Sequence, residues 1–187
     1  MPLPAPSPRQ HLHNRVVNYR GYQREDGGWD IEAEMRDTKT HDTEIVGEGL
    51  KPAGESIHHM AIRMTLDRQL MVQAIAVAMD GIPHANCIQA EASLQKMVGV
   101  QVGGGWRKTI EQRVGGVQGC THLRELLFNM ATVTFQTCHP GVAILESETP
   151  PKYLGQCQAW DTRGPLVERI MPRFYQRDIN RNTVVKE

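Results

Sequence analysis

Excess charge is the first thing missing from this chain of 187 residues, in which 21 Lys and Arg stand against 21 Asp and Glu. The counterion release that drives non-specific nucleic-acid binding therefore has no whole-protein source, and attraction to an anionic membrane surface lacks one too. Cysteine is scarce, and four residues are too few for a disulfide scaffold. No apolar run approaches the ~18 residues that span a bilayer. There is no internal repeat, and Met1 to Pro8 is proline-rich where a secretory leader is basic and then apolar. The expectation that remains is a soluble, cytoplasmic protein with reduced thiols and neither a nucleic-acid nor a membrane partner. Assembly into a homo-oligomer stays open. Aliphatic residues spread along the whole chain argue against general disorder.

The prolines at 2, 4, 6 and 8 fix φ and remove donors, so residues 1–10 read as an extended arm ahead of one α+β domain over 11–187, with its core at about 56–135. Trp29 to Asp37 alternates, with Trp29, Ile31, Ala33 and Met35 on one face and Asp30, Glu32 and Glu34 on the other. That is a strand with one solvated face, and with the preceding run Arg15 to Tyr22 it makes an N-terminal hairpin. Arg24 to Glu48 holds nine acidic residues against three basic ones, whereas Met1 to Arg20 has three Arg and no acid. The neutral total is a local cancellation. After a loop with Gly47, Gly49, Pro52 and Gly54, a second hairpin is predicted: Ile57 to Leu66, a turn at Asp67 to Gln69, and Leu70 to Met79. From Cys87 the period changes to that of a helix ending at Gly99. Trp106 to Val114 and Thr121 to about Phe135 are two more predicted helices. A short strand near Val142 to Leu145 and a helical segment from Pro165, interrupted at Pro172, complete the pattern. The expected fold is an antiparallel sheet built from the two hairpins, with helices packed on one face.

Two thiols follow loops and open predicted helices, Cys87 and Cys120. A helix N-terminus carries partial positive charge and free N–H groups, which favour thiolate over thiol. His122 stands two residues after Cys120, Glu125 three residues after His122, and His58 on the apolar face of its strand. The set His58, Cys87, Cys120 and His122 has the nitrogen and sulfur ligands suited to zinc or iron. The plain alternative is that such cysteines are small core hydrophobes and such a histidine a hydrogen-bonded core residue. Cys138 and Cys157 are expected to pack. His11 and His13 lie on one side of an extended segment, either as a metal pair or simply in solvent. The loop Gly103-Gly104-Gly105 lacks the spacing of a phosphate-binding fingerprint.

The runs His11-Leu-His13, Gly21-Tyr22, Trp29-Asp30-Ile31-Glu32, Asp37-Thr38-Lys39, Gly54-Glu55-Ser56-Ile57-His58 and Gly119-Cys120-Thr121-His122-Leu123 resemble the bacterial family called domain of unknown function 2889. A remoter similarity, over roughly Ser56 to Phe135, is to iron-sulfur cluster scaffolds of the IscU type, in which a hairpin is followed by two helices each opened by a cysteine. That similarity implies an IscU/SufE-like fold, with Cys87 and Cys120 at two scaffold cysteine positions and His58 near the scaffold's acidic ligand. Ser56 falls near the first scaffold cysteine, and Gly119 replaces the histidine before the last. A three-thiol cradle is therefore absent, which points to a mixed Cys/His site for a single ion.

Three functions follow. The leading one is a metal-dependent enzyme for a small organic substrate, with zinc or iron held by Cys87, Cys120 and one or both of His58 and His122, and with Glu125 or a spare histidine transferring the proton. Trp29, Trp106 and Tyr22 would supply apolar walls, or simply core. The second is a carrier or scaffold for iron-sulfur species without catalysis. The third is cofactor-free thiol chemistry with Cys120 as nucleophile and His122 as base. Two positions apart on one helix, those side chains would diverge by about 200°, which ranks the third last.

Overall fold

The computed structural model describes residues 3–138 and 148–177. The chain divides into two compact units, Met1–Cys138 and His139–Glu187. In the first, β1 (His13–Gln23), β2 (Trp29–Lys39), β5 (Ser56–Leu66) and β6 (Val72–Gly81) form one antiparallel sheet in the order β1-β2-β5-β6. Between them β3 (Thr43–Ile45) and β4 (Gly49–Lys51) make a small separate hairpin, where the sequence suggests only a glycine-rich loop.

The alternation seen in the sequence sets the two faces of the sheet. Ile31, Ala33 and Met35 on β2, and Met60, Ile62, Met64 and Leu66 on β5, are buried. Their neighbours on the other face form cross-strand ion pairs: Arg63 donates to Glu32 at 2.7 Å, His59 meets Glu34 at 2.9 Å, and Arg24 reaches Asp30 at 3.2 Å. The acidic segment is thus a solvated face. A one-residue slip would invert both sets, so the register is strongly specified. The β5–β6 turn is held by Asp67, whose Oδ1 accepts the backbone N–H groups of Gln69 and Met71, each at 2.9 Å.

Helices α1 (Ala90–Ser93), α2 (Trp106–Val114) and α3 (Thr121–Cys138) follow. Leu123, Leu126, Leu127 and Met130 of α3 are almost wholly buried, and each such side chain contributes about 1.5–3 kcal/mol of burial free energy. At Gly21 on β1 a Cβ would overlap the side chain of Thr137, so the far end of α3 lies directly on this strand. Trp106 is buried core, its indole N–H donating to the Leu127 carbonyl at 2.8 Å, while Trp29 is half-buried and Tyr22 is exposed.

The single helix predicted from Cys87 is instead three short pieces: a 3-10 turn at Ala85–Gln89, α1, and a second 3-10 turn at Leu94–Met97. Ser93 Oγ donates back to the Ala90 carbonyl at 2.6 Å, and such local competition weakens α-helical propagation. In the second unit a 3-10 turn at Gln158–Trp160 precedes α4 (Pro165–Ile170), and Pro172–Phe174 forms another 3-10 turn, so the interruption at Pro172 is as the sequence indicates. The strand predicted near Val142 to Leu145 lies outside the described residues. No helix among those described is long and apolar enough to cross a membrane.

Candidate functional site

The buried phase of β2 does not end at Met35. Asp37, two residues on, falls in the same register and is 2% exposed, a carboxylate at a core position. Leaving it unpaired there would cost several kcal/mol, so its partners define the site. They come from both neighbouring strands, because Asp37 is opposite Arg15 on β1 and His58 on β5. Arg15 grips it bidentately, Nε to Oδ1 and Nη2 to Oδ2, both at 2.7 Å. His58 Nδ1 lies 3.0 Å from Oδ2, and His13 Nε2 lies 3.2 Å from Oδ1.

Regular pairing aims His58: it stands opposite Asp37, in phase with Met60 opposite Met35, and the register slips only beyond it. Asp37 pairs with His58 and Thr38 with Ser56, so Ile57 is an extra residue on β5. A second irregularity follows at once on the other edge of β5, where His59 pairs with Gly81 and Met60 with Met79. Gly81 is needed there, since a Cβ would approach the His59 nitrogen to 2.9 Å. Bulges of this kind end regular pairing at the rim of a sheet.

α3 supplies the cover. The His122 ring lies 3.9 Å, centroid to centroid, from that of His58, tilted by 39°. Glu125, one turn further along, accepts a 2.8 Å hydrogen bond from Arg15 Nη1. One donor atom from each of Asp37, His58 and His122 falls within 4.8 Å of the others. Among the described residues this is the single group of three such side chains with metal-binding spacing.

Electrostatics keep the group in its ligand forms. Burial pushes the Asp37 carboxyl up, but the Arg15 guanidinium, seconded by His58, overturns this and holds it at about 2. His58 is lowered by burial, which outweighs the pull of Asp37. His122 is lowered by burial and by the neighbouring His58 and Arg15. An ionised carboxylate and two imidazoles biased to neutrality are what a divalent ion requires.

Of the four residues predicted as metal ligands, the fold brings His58 and His122 together and adds Cys120 beside them. Cys120 Sγ is 3.8 Å from His122 Nδ1, outside the three-residue group. The divergence of about 200° expected for this pair does not arise, because Cys120 precedes the helix: its carbonyl accepts the first helical hydrogen bond, from Arg124 N–H at 3.0 Å. Cys87 stands apart. It lies inside a 3-10 turn, its own N–H bonded to the His84 carbonyl at 2.9 Å, and packs half-buried against the core. Cys138 is half-buried, with burial raising its thiol to about 11, whereas Cys157 is exposed rather than packed. Glu125, the predicted proton carrier, is tied to Arg15. His13 belongs to β1 and turns to Asp37, while His11 meets the His13 carbonyl at 2.9 Å.

Sequence reasoning missed Asp37 and Arg15. The signal was there: an acid continuing the apolar alternation of β2, and an arginine at the matching position of the first strand.

A groove of about 360 Å³ is lined by Arg15, which holds Asp37, and by Glu125, and reaches Arg107 and Phe128. A family model described as protein of unknown function (DUF2889) matches residues 13–136, which contain every side chain of the group. No curated protein and no solved structure matches the chain, so the similarity to IscU-type scaffolds finds no support.

Proposed function

The chain belongs to this family of unknown function, DUF2889, and from that premise we propose that it is a metal-dependent enzyme for a small organic substrate, with a zinc or iron ion at Asp37, His58 and His122. One observation carries the proposal: three donor atoms of the right kinds converge within 4.8 Å, and Arg15, which grips one of them, also lines a groove. Asp37 Oδ2 and His58 Nδ1, 3.0 Å apart, are close enough that both would serve as ligands of one ion. In this arrangement the ion replaces the proton shared by those atoms, while Arg15 keeps hold of Oδ1. Cys120 is placed to add a thiolate beside His122.

Such an ion polarises a carbonyl or activates water. The chain's own groups do the rest. Arg15 fixes Asp37 and neutralises Glu125, and Glu125 faces the groove, where it can take up or return a proton.

Elemental analysis of protein purified without chelator tests the proposal. About one equivalent of zinc or iron is expected, lost in His58→Ala and in His122→Ala, and less than about a tenth of an equivalent would sink it. A second reading is favoured by the completeness of the Asp37 contacts, since both oxygens already have two partners. In that reading Asp37 orients His58 as a general base with no ion. Metal-free protein that retains full activity would decide for it.

A further inference from the structure

The groove beside the Asp37–His58–His122 group has a polarity of its own. Its lining carries three formally charged side chains, Arg15, Glu125 and Arg107. The first two neutralise each other at 2.8 Å, and Arg15 also holds Asp37. Arg107 is different. Its guanidinium carbon lies 4.1 Å from the centre of the Phe128 ring, and among the described residues it has no carboxylate partner. A cation stacked on an aromatic face loses little freedom when an anion arrives, and keeps its planar fork for bidentate recognition of a carboxylate.

Next to it are two neutral polar groups. Asn129 Nδ2 donates to the Tyr19 hydroxyl oxygen at 3.3 Å, which leaves the Tyr19 O–H free to donate in turn. Burial raises the Tyr19 pKa, so this hydroxyl keeps its proton at neutral pH. The remaining wall is apolar: Val17, Met35 and Leu126 join the Phe128 ring. A volume of about 360 Å³ sits at the small end of the range for ligand sites, roughly 300–1,000 Å³.

We infer that this groove binds a small organic acid with an apolar body, its carboxylate on Arg107 and its body against Phe128, Val17 and Met35. The inference deepens the proposed function, and rests on it for the claim that the bound acid is a substrate. Recognition itself is separable from the ion, because none of the groups that would hold the acid is a proposed metal ligand.

The test is calorimetric titration of chelator-treated protein with benzoate and with hexanoate, each against its neutral amide. Saturable binding of at least one acid is expected, with its amide at least tenfold weaker. Arg107→Gln should weaken the acid tenfold or more and Arg107→Lys should recover part of the loss, while Arg113→Gln leaves binding unchanged. Arg107 is exposed, so thermal melts of its variants should match the parent. Equal affinity for acid and amide, indifference to Arg107→Gln, or no saturation with either acid up to about 10 mM overturns the inference. Loss of metal with benzoate binding intact would overturn only the ion. Metal retained without acid binding would overturn only the substrate class.

Discussion

Replacing Asp37 by Asn keeps the shape of the side chain and removes its charge. The cost can be worked from the structure. Asp37 is 2% exposed, and pairing holds its carboxyl at about 2 where an exposed one titrates near 3.8. At about 1.4 kcal/mol per pH unit, that depression corresponds to about 2.5 kcal/mol of folded-state stability at pH 7. Arg15 is partly exposed and retains Glu125, which places the expected loss below the roughly 3–5 kcal/mol of a wholly buried broken pair. Because the folded-state value is the lower one, the contribution is complete above about pH 4. It fades as pH falls through 2. The gap between parent and Asp37→Asn should therefore be about 2–3 kcal/mol at pH 7 and about half of that at pH 3. Urea unfolding of chelator-treated proteins at pH 7, 4.5 and 3 measures it without a metal contribution. A gap under about 0.5 kcal/mol at pH 7, or one that stays constant to pH 3, would refute the reasoning.

Four other outcomes are expected. If the group holds an ion, adding zinc to metal-free parent protein should raise its melting temperature and should leave His58→Ala and His122→Ala unmoved; equal shifts in all three would place the ion elsewhere. Gly21→Ala should destabilise by about 1–3 kcal/mol because its Cβ meets Thr137, and Thr137→Ala should restore part of that, as read from denaturation midpoints. Trp106→Phe should cost about 1–3 kcal/mol, since it removes the buried indole bond to the Leu127 carbonyl and leaves part of the Trp106 volume empty, and a neutral result would mean the core closes over the gap. Alkylation followed by mass spectrometry at pH 7 should modify exposed Cys157 well before Cys138, whose thiol burial raises to about 11; similar rates would contradict that placement.

Strand alternation and helix period are local properties, and they made most of the fold legible. The inward set on β5, the nine-residue helix from Trp106 to Val114 and the start of α3 at Thr121 all follow from residue order and burial preference. The helix predicted after Cys87 is three short pieces, and the Ser93 hydroxyl bonds back to the Ala90 carbonyl where the α-helical one ends. Part of the candidate site was legible too, since His58 stands out as a histidine on an apolar strand face and His122 as the neighbour of a cysteine at a helix start. Alternation does put Asp37 on the inward face of β2, but it does not say which side chains of the neighbouring strands would pair with it there. Cys87 lies inside a 3-10 turn, so the helix-start argument made for it has no α-helix to draw on.

By itself the sequence determined the class of structure, the facing of each strand and a short register of chemically capable side chains. Only the tertiary structure decided which of them meet. Arg15, Asp37, His58 and His122 span more than a hundred positions of the chain, yet they are joined by strand pairing in one direction and helix packing in the other. Those long-range choices depend on the register between strands, and no residue's neighbours in sequence encode that alone.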